Sequence, residues 1–429
     1  VAEENDDSTL QPEYYDIIFA GAGLSGLTLA VELARRPAFQ DKKILLLDRD
    51  NKQQNDRTWC FWATDAEPLP PVVFRSWDRC RFFAAGFETD MDIAPYRYRM
   101  VRGIDFYHWA DAELRKNPNI HRVHAAISDL DADLGLVRTD AGDFTADLIF
   151  NSAFTKTRVL PEAGGAYSGP PFSILADRMV GVTSSRPDNS AATRSKSIFL
   201  LQHFKGWIIE TPAPAFDPGA VTFMDFRIEQ HGETRFVYVL PFSKTRALVE
   251  FTVFSPAMLP PDTYDQELRS YLSTFLKIND FTIAEEEFGV IPMTDFPFPA
   301  RKEGRVIHIG TAGGFVKASS GYAFKRTQRK VRAFVDAWER TGHPDPRVFQ
   351  SPRIFQLFDS IFLRVLHDRN ELGHIVFTNL FQKLTPTLVL RFLDEDSTPF
   401  ENLRLVSAPP SAPFLRALGK LVFQTVLAR

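Results

Sequence analysis

Two stretches of the chain carry residue types at spacings suited to chemistry. The first is Gly21-Ala22-Gly23-Leu24-Ser25-Gly26, with Asp48 standing 22 residues beyond Gly26. Each glycine has a task in holding a dinucleotide: the first permits a tight turn, the second lets backbone approach a pyrophosphate, and the third lets helix and strand pack closely. The helix opened by such a turn points its positive end at the phosphates. Asp48 would accept hydrogen bonds from a ribose hydroxyl, which disfavours a 2′-phosphate there. By itself this motif admits FAD or NAD. The second stretch is 247–254, where Ala247, Val249, Phe251 and Val253 share one face and Leu248, Glu250, Thr252 and Phe254 share the other. Glu250 is thus a carboxylate on a mostly apolar face. Buried, it would keep its proton near neutral pH, as a general acid must; exposed, it would be an ordinary solvated charge.

Other candidates are weaker. Asp225 stands two residues from Arg227 and can be a second acid or base, or one half of a local ion pair; Glu210 has the same two readings. His203 is one of nine scattered histidines, no two of them at metal-ligand spacing, so no metal is expected.

The elements that must position these residues follow from periodicity. A strand at 16–20, the Gly-rich turn, a helix ending near Pro37 and a strand at 43–48 make a β-α-β unit. Residues 66–100 are rich in Pro and aromatics without clear period and read as loops leading into another unit. A helix is expected at 105–115, a small meander at 121–151 and a crossover linker at 161–192. Strands at 197–202, 221–226, 236–240 and 247–254 suggest an antiparallel sheet. A strand at 305–309 precedes Gly310-Thr311-Ala312-Gly313-Gly314 and a further helix, so the chain returns to nucleotide-binding grammar. A second segment reaching the same site decides for FAD, a cofactor buried along its length.

The chain has 429 residues, more than one ordinary core, and its 44% hydrophobic and 24% charged residues are those of a globular protein. With 50 Lys plus Arg against 54 Asp plus Glu, no broad basic surface is offered to nucleic acid. Two cysteines fit a reducing, cytoplasmic compartment. The acidic residues 1–12 read as a disordered tail, and no apolar run is long enough to span a bilayer. The 39 Phe against 10 Tyr suit an apolar ligand, a lipid contact or simply a Phe-rich core.

Seven stretches, in order, resemble the bacterial lycopene cyclase family: 56–62 (DRTWCFW), 202–207 (QHFKGW), 223–227 (FMDFR), 236–241 (FVYVLP), 248–252 (LVEFT), 291–294 (IPMT) and 310–324 (GTAGGFVKASSGYAF). The resemblance implies a flavoprotein of the hydroxylase-like α/β fold. It would comprise an FAD-binding Rossmann-like domain from 13–65, 100–160 and 290–345, an inserted antiparallel substrate domain from 66–99 and 161–289, and a helical part from 346–429. It also implies reduced FAD, NAD(P)H as its reductant, and a redox-neutral conversion of acyclic lycopene ends into beta-ionone rings. An FAD monooxygenase, a prenyl-lipid reductase or a flavin-carrying lipid-binding module would use the same fold.

The family's acidic motif falls on Glu250, with Asp225 as the second candidate. Arg57 and Thr58 are expected within reach of flavin or pyrophosphate. Thr311 stands where many related flavoproteins carry Asp, and Ala318 where the family is expected to have Pro. Gly310, Thr311, Gly313 and Gly314 would line the cofactor, and Gly321 and Tyr322 would turn their amides toward the reduced, anionic ring. The tail, with Phe414, Leu415, Leu418, Leu421, Val422 and Val426 in a stripe, suggests peripheral contact with the inner membrane face or packing on the protein.

Overall fold

The computed structural model describes residues 12–153, 197–298 and 302–426. The expected linker at 161–192 and all but the last residue of the expected tail lie outside them. The chain starts with β1 (Glu13–Ala20), α1 (Leu24–Ala34) and β2 (Ile44–Asp48). β1 lies parallel to β2, pairing Ile17 with Ile44, and is covered on both faces. Ile17 and Phe19 pack with Leu27 and Val31 of α1, while Ile18 and Ala20 face Leu45 and Val137. Burial on both sides explains why this strand reads as an apolar run rather than an alternation.

The region 66–100 departs from expectation, because it holds strands rather than loops. After β3 (Thr58–Ala63) come β4 (Arg75–Trp77), β5 (Arg79–Ala84), β6 (Phe87–Asp92) and β7 (Arg97–Arg102), leading into α2 (Gly103–Leu114). Strands β3, β7 and β4 form a small sheet of their own. The hairpin β5-β6 joins a distant sheet through a pairing of Cys80 with Val221, a contact that no local pattern announces.

β8 (Ile120–His124), β9 (Ile127–Asp131), β10 (Leu136–Thr139) and β11 (Gly142–Asn151) follow. Only the last three form the meander. β8 instead lies parallel to β2, so the first sheet runs β8-β2-β1-β11-β10-β9. The end of β11 also pairs with the late strand β17 (Val306–His308), which brings the second glycine segment beside the first.

The second sheet has the order β16-β12-β15-β14-β13-β5-β6. Its strands are β12 (Phe199–Glu210), β13 (Ala220–Asp225), β14 (Thr234–Pro241), β15 (Arg246–Ser255) and β16 (Thr282–Thr294), the last continuing past the boundary drawn at 290. One face is closed by α3 (Pro261–Thr274), whose Tyr264, Leu268, Tyr271 and Leu272 pack on Val237, Val249, Phe251 and Val253. Each such buried side chain contributes about 1.5–3 kcal/mol, enough to fix which face of β15 is the dry one. The other face meets the small sheet and the C-terminal helices α5 (Arg353–Asp368), α6 (Gly373–Lys383), α7 (Pro386–Leu393) and α8 (Pro399–Val406), and α9 (Ser411–Val426) packs on α5. α4 (Phe324–Thr341) lies between β17 and these helices in the chain and packs on α1, with Gln328 Nε2 donating to Thr28 Oγ1 at 2.9 Å.

Candidate active site

Because α3 covers the face bearing Val249 and Phe251, Glu250 projects from the opposite face, into a cleft. That cleft is lined by Tyr98 and Cys60 from the small sheet, Gln202, Phe204, Tyr238 and Leu248 from the second sheet, and the 320–324 segment ahead of α4. Four residues form one row across the strands: Glu287 on β16 stands opposite Gly206 on β12, Gly206 opposite Glu250 on β15, and Glu250 opposite Tyr238 on β14. Glu250 and Glu287 are thus two strands apart, roughly 10 Å at the backbone. With no side chain at Gly206, their carboxyl groups lean across it and meet.

The environment separates the two acids. Burial pushes the Glu250 carboxyl well above the usual carboxylate range, and the negative Glu287 beside it pushes it further. Thr252 Oγ1 donates to Glu250 Oε1 at 3.1 Å, too weak a contact to reverse this. Glu287 is also raised by burial, but Thr58 Oγ1 donates to its Oε2 at 2.6 Å, and Glu250 and Arg57 favour its charged form. One proton shared by the pair therefore rests on Glu250, with the charge on Glu287. Two adjacent carboxyls pushed apart in this way are suited to holding and delivering a proton.

Glu287 was missed from sequence because Glu285-Glu286-Glu287 looks like a solvated charge run. Extending the period of two backward from Ile291 and Gly289 would have placed Glu287 on their side of β16. Thr58, expected at the cofactor, donates to this carboxyl pair, while Arg57 lies 3.7 Å from Asp56 and acts on Glu287 through its charge.

Asp225, the other candidate acid or base, does not join them. Its partner in register is Val237, on the α3 side, so the sheet stands between Asp225 and Glu250. There it is fully buried, accepting from Arg227 Nε at 2.9 Å and from Tyr271 Oη at 2.9 Å. His203 is likewise internal: Tyr264 donates to its Nδ1 at 2.7 Å and its Nε2 donates to Ser255 at 2.8 Å, while burial pulls its pKa down to about 4. Glu210 is exposed at the end of β12, 3.5 Å from Arg246.

The glycine turn has the form of a dinucleotide cradle. Gly21 has φ +103°, and a Cβ on Gly26 would lie 2.2 Å from the Gly21 carbonyl oxygen. A Cβ on Gly23 would meet nothing within 4 Å, so the turn is open just where α1 begins with no side-chain cap. Asp48 closes the end of β2, accepting from Ala22 N at 2.7 Å and Asp50 N at 2.9 Å. Gly310 packs against Ser25 on this same helix N-terminus, so Gly310, Thr311, Gly313 and Gly314 are brought beside Gly21–Gly26. An uncapped helix end with an open backbone approach fits the pyrophosphate of FAD.

Gly321 and Tyr322 precede α4 rather than opening it. The Gly321 N–H closes a turn onto the Lys317 carbonyl at 2.8 Å, so the expected free amide at Gly321 is taken. Ala318, on this turn, packs partly buried against the core. Among the described residues no group of His, Cys, Asp and Glu is arranged to hold a metal. A larger cavity of about 300 Å³ adjoins at Tyr322–Phe324, but its cations are mostly paired, Lys317 with Asp359 and Glu395, Lys325 with Asp394, and Arg329 with Asp396.

Comparison with solved structures recovers this architecture. A geranylgeranyl bacteriochlorophyll reductase-like protein from Thermoplasma acidophilum superposes with a TM-score of 0.56 at 12% identity, over 95% of this chain and 99% of that one. The flavin-dependent brominase Bmp2 gives 0.57 at 13%, over 96% and 100%. The fold is therefore the hydroxylase-like flavoprotein fold. In sequence, the chain is similar to lycopene beta-cyclase from Pseudescherichia vulneris, 23% identical over 93% of this chain and 95% of that protein. It is similar also to the enzyme of that name from Paracoccus sp. (strain N81106 / MBIC 01143), 25% identical over 72% and 70%. A segment of 135 residues is 33% identical to the chloroplastic lycopene beta cyclase of Arabidopsis thaliana, covering 28% of this chain and 26% of that one. The profile of the lycopene cyclase proteins matches residues 16–419, nearly the whole chain, and by that match the chain belongs to the lycopene cyclase family.

Proposed function

We propose that this protein is a lycopene beta-cyclase in which Glu250 delivers the proton that starts ring closure. The observation that carries the reading is the Glu287–Gly206–Glu250–Tyr238 row, of which Glu250 and Tyr238 line a largely apolar cleft. Cyclisation needs a proton added to the terminal alkene, attack of the neighbouring double bond on the resulting cation, and loss of a proton. No electrons are gained or lost. Glu250 holds a proton at neutral pH because its surroundings disfavour its charge. Glu287, kept anionic by Thr58 and Arg57, holds the negative charge next to it and can take the departing proton. Leu248, Phe204 and Phe324 exclude water that would quench a cation.

FAD would be held by Gly21, Gly23 and Gly26, Asp48 and the Gly310–Gly314 turn, with NAD(P)H as its reductant. When bound in reduced form it supplies a fixed negative charge near the developing cation. The substrate is lycopene or a related acyclic carotenoid, which dissolves in membranes. No helix among the described residues is long and apolar enough to cross one. α9 packs Ala417 inward and leaves Leu415, Val422 and Phe423 more than half exposed, and α8 exposes Phe400 and Leu403, a surface suited to peripheral contact.

Anaerobic incubation with reduced FAD and lycopene should give a product of unchanged mass with one double bond fewer for each ring formed. A gain of hydrogen would make the protein a reductase, a gain of oxygen in a parallel aerobic incubation a monooxygenase, and no product under either condition a binding module.

A further inference from the structure

Two glycines interrupt strands of the second sheet, Gly206 in β12 and Gly289 in the edge strand β16, where each costs the strand roughly 0.5–1 kcal/mol relative to alanine in backbone entropy. Gly289 has a simple account, since the Phe204 ring lies over it, 2.2 Å from where its Cβ would be. At Gly206 the neighbours are different. It faces the cleft, and a Cβ there would meet Leu248 Cδ1 at 2.9 Å, Glu287 Cγ at 3.0 Å and Glu287 Oε1 at 3.1 Å. The space it leaves empty is the space through which the Glu287 side chain reaches Glu250. A glycine inside a strand marks a site of close approach, and here what approaches is a carboxyl from the next strand.

We propose that Gly206 is a positioning residue for the acid: by leaving its place in the row vacant it lets the Glu287 carboxyl lie against Glu250, so that the two share one proton. The inference rests on the reading of Glu250 as proton donor and deepens it. Gly206 touches no substrate and acts through Glu287. The other polar groups around the pair do not substitute for it. Thr252 on β15 and Thr58 on β3 are hydrogen-bond donors to the carboxyls. Tyr238 on β14, Tyr98 on β7, Cys60 on β3 and Tyr322 beside α4 line the cleft with phenols and a thiol that burial keeps neutral. Arg57 and Glu285 act on Glu287 with opposite signs. The negative charge nearest Glu250 is Glu287, and its distance is set by what stands at 206.

A methyl group at 206 meets side-chain atoms of Leu248 and Glu287 rather than backbone, so Gly206→Ala should fold while pushing the Glu287 carboxyl away. Glu250, relieved of its charged neighbour, then gives up its proton at lower pH. The measurement is infrared titration of the full chain loaded with oxidised FAD and without substrate. It follows the carbonyl band of the protonated acid, assigned by its loss in Glu250→Gln. The midpoint should fall by about one pH unit or more in Gly206→Ala, a tenfold loss of protonated acid at a fixed higher pH. Glu287→Gln should lower it as well, and Gly206→Ala should add nothing in that background. An unchanged midpoint in folded Gly206→Ala overturns the proposal, as does a further fall in the Glu287→Gln background. If Gly206→Ala proves unstable, Leu248→Ala in the same chain makes room for the methyl, and the same comparison is read there. Because no turnover is needed, a failed product assay with the band behaving as described would remove the cyclase reading and leave the positioning role standing.

Discussion

Replacing Glu250 by Gln separates its two consequences, for turnover and for stability. Gln is close to an isostere of the protonated acid, so the neutral side chain that the cleft favours is retained and its amide can still donate to the Glu287 carboxylate. The fold should be kept and the proton lost. A positioned general acid is worth about 10²–10⁴ in rate, so cyclisation under the anaerobic conditions above should fall by that factor, about 3–5.5 kcal/mol in barrier. The stability consequence has a definite sign. The Glu250 pKa is raised in the folded protein above a value near 4.5 in the unfolded chain. Between those values the folded state binds more protons than the unfolded one. The contribution is fully present below about pH 4.5 and is lost as pH rises through the folded pKa. The loss amounts to at most about 1.4 kcal/mol per pH unit for one proton. Urea unfolding at a series of pH values from 4.5 upward should therefore show a shallower decline in Glu250→Gln than in the wild type. Parallel declines, or a fully active variant binding FAD normally, would refute the assignment of a buried protonated acid.

Three other expectations follow from the same geometry. Gly26→Ala places a methyl 2.2 Å from the Gly21 carbonyl, a backbone atom that cannot turn aside, so FAD affinity of the apoprotein, read by quenching of flavin fluorescence, should fall at least tenfold. An unchanged affinity would show that the turn is not the cradle. Asp225→Asn removes the charge that balances Arg227, and since Arg227 is 31% exposed the cost should lie near the low end for a broken buried pair, about 3 kcal/mol by denaturant unfolding. The pH profile of the remaining activity should not move; a moved profile would restore Asp225 as an acid or base. Removing residues 412–429 takes away exposed Leu415, Val422 and Phe423, and sedimentation with liposomes should weaken at least tenfold, whereas unaltered binding would exclude α9 as the membrane contact.

The local part of this protein was legible in its amino-acid order. Gly21, Gly23, Gly26 and Asp48 lie within one β-α-β unit, where the turn, the helix start and the next strand are neighbours in the chain, so spacing alone carried the geometry. The alternation at 247–254 likewise divided β15 into two faces. It could not say which face was dry, because that depends on α3, and 261–274 gave no sign of where it would dock. Strand pairing across long separations was equally hidden: β5 meets β13 through Cys80 and Val221, and β8 leaves the expected meander for β2.

The acid site is the sharpest case. Sequence singled out Glu250 and set beside it Asp225, which pairing placed across the sheet, bound to Arg227 and Tyr271. Its true neighbour, Glu287, lay in an unremarked acidic run. A carboxylate's chemistry depends on what lies within a few ångströms of it. Glu250 and Glu287 are brought that close only by the strand order β16-β12-β15 and by the absence of a side chain at Gly206.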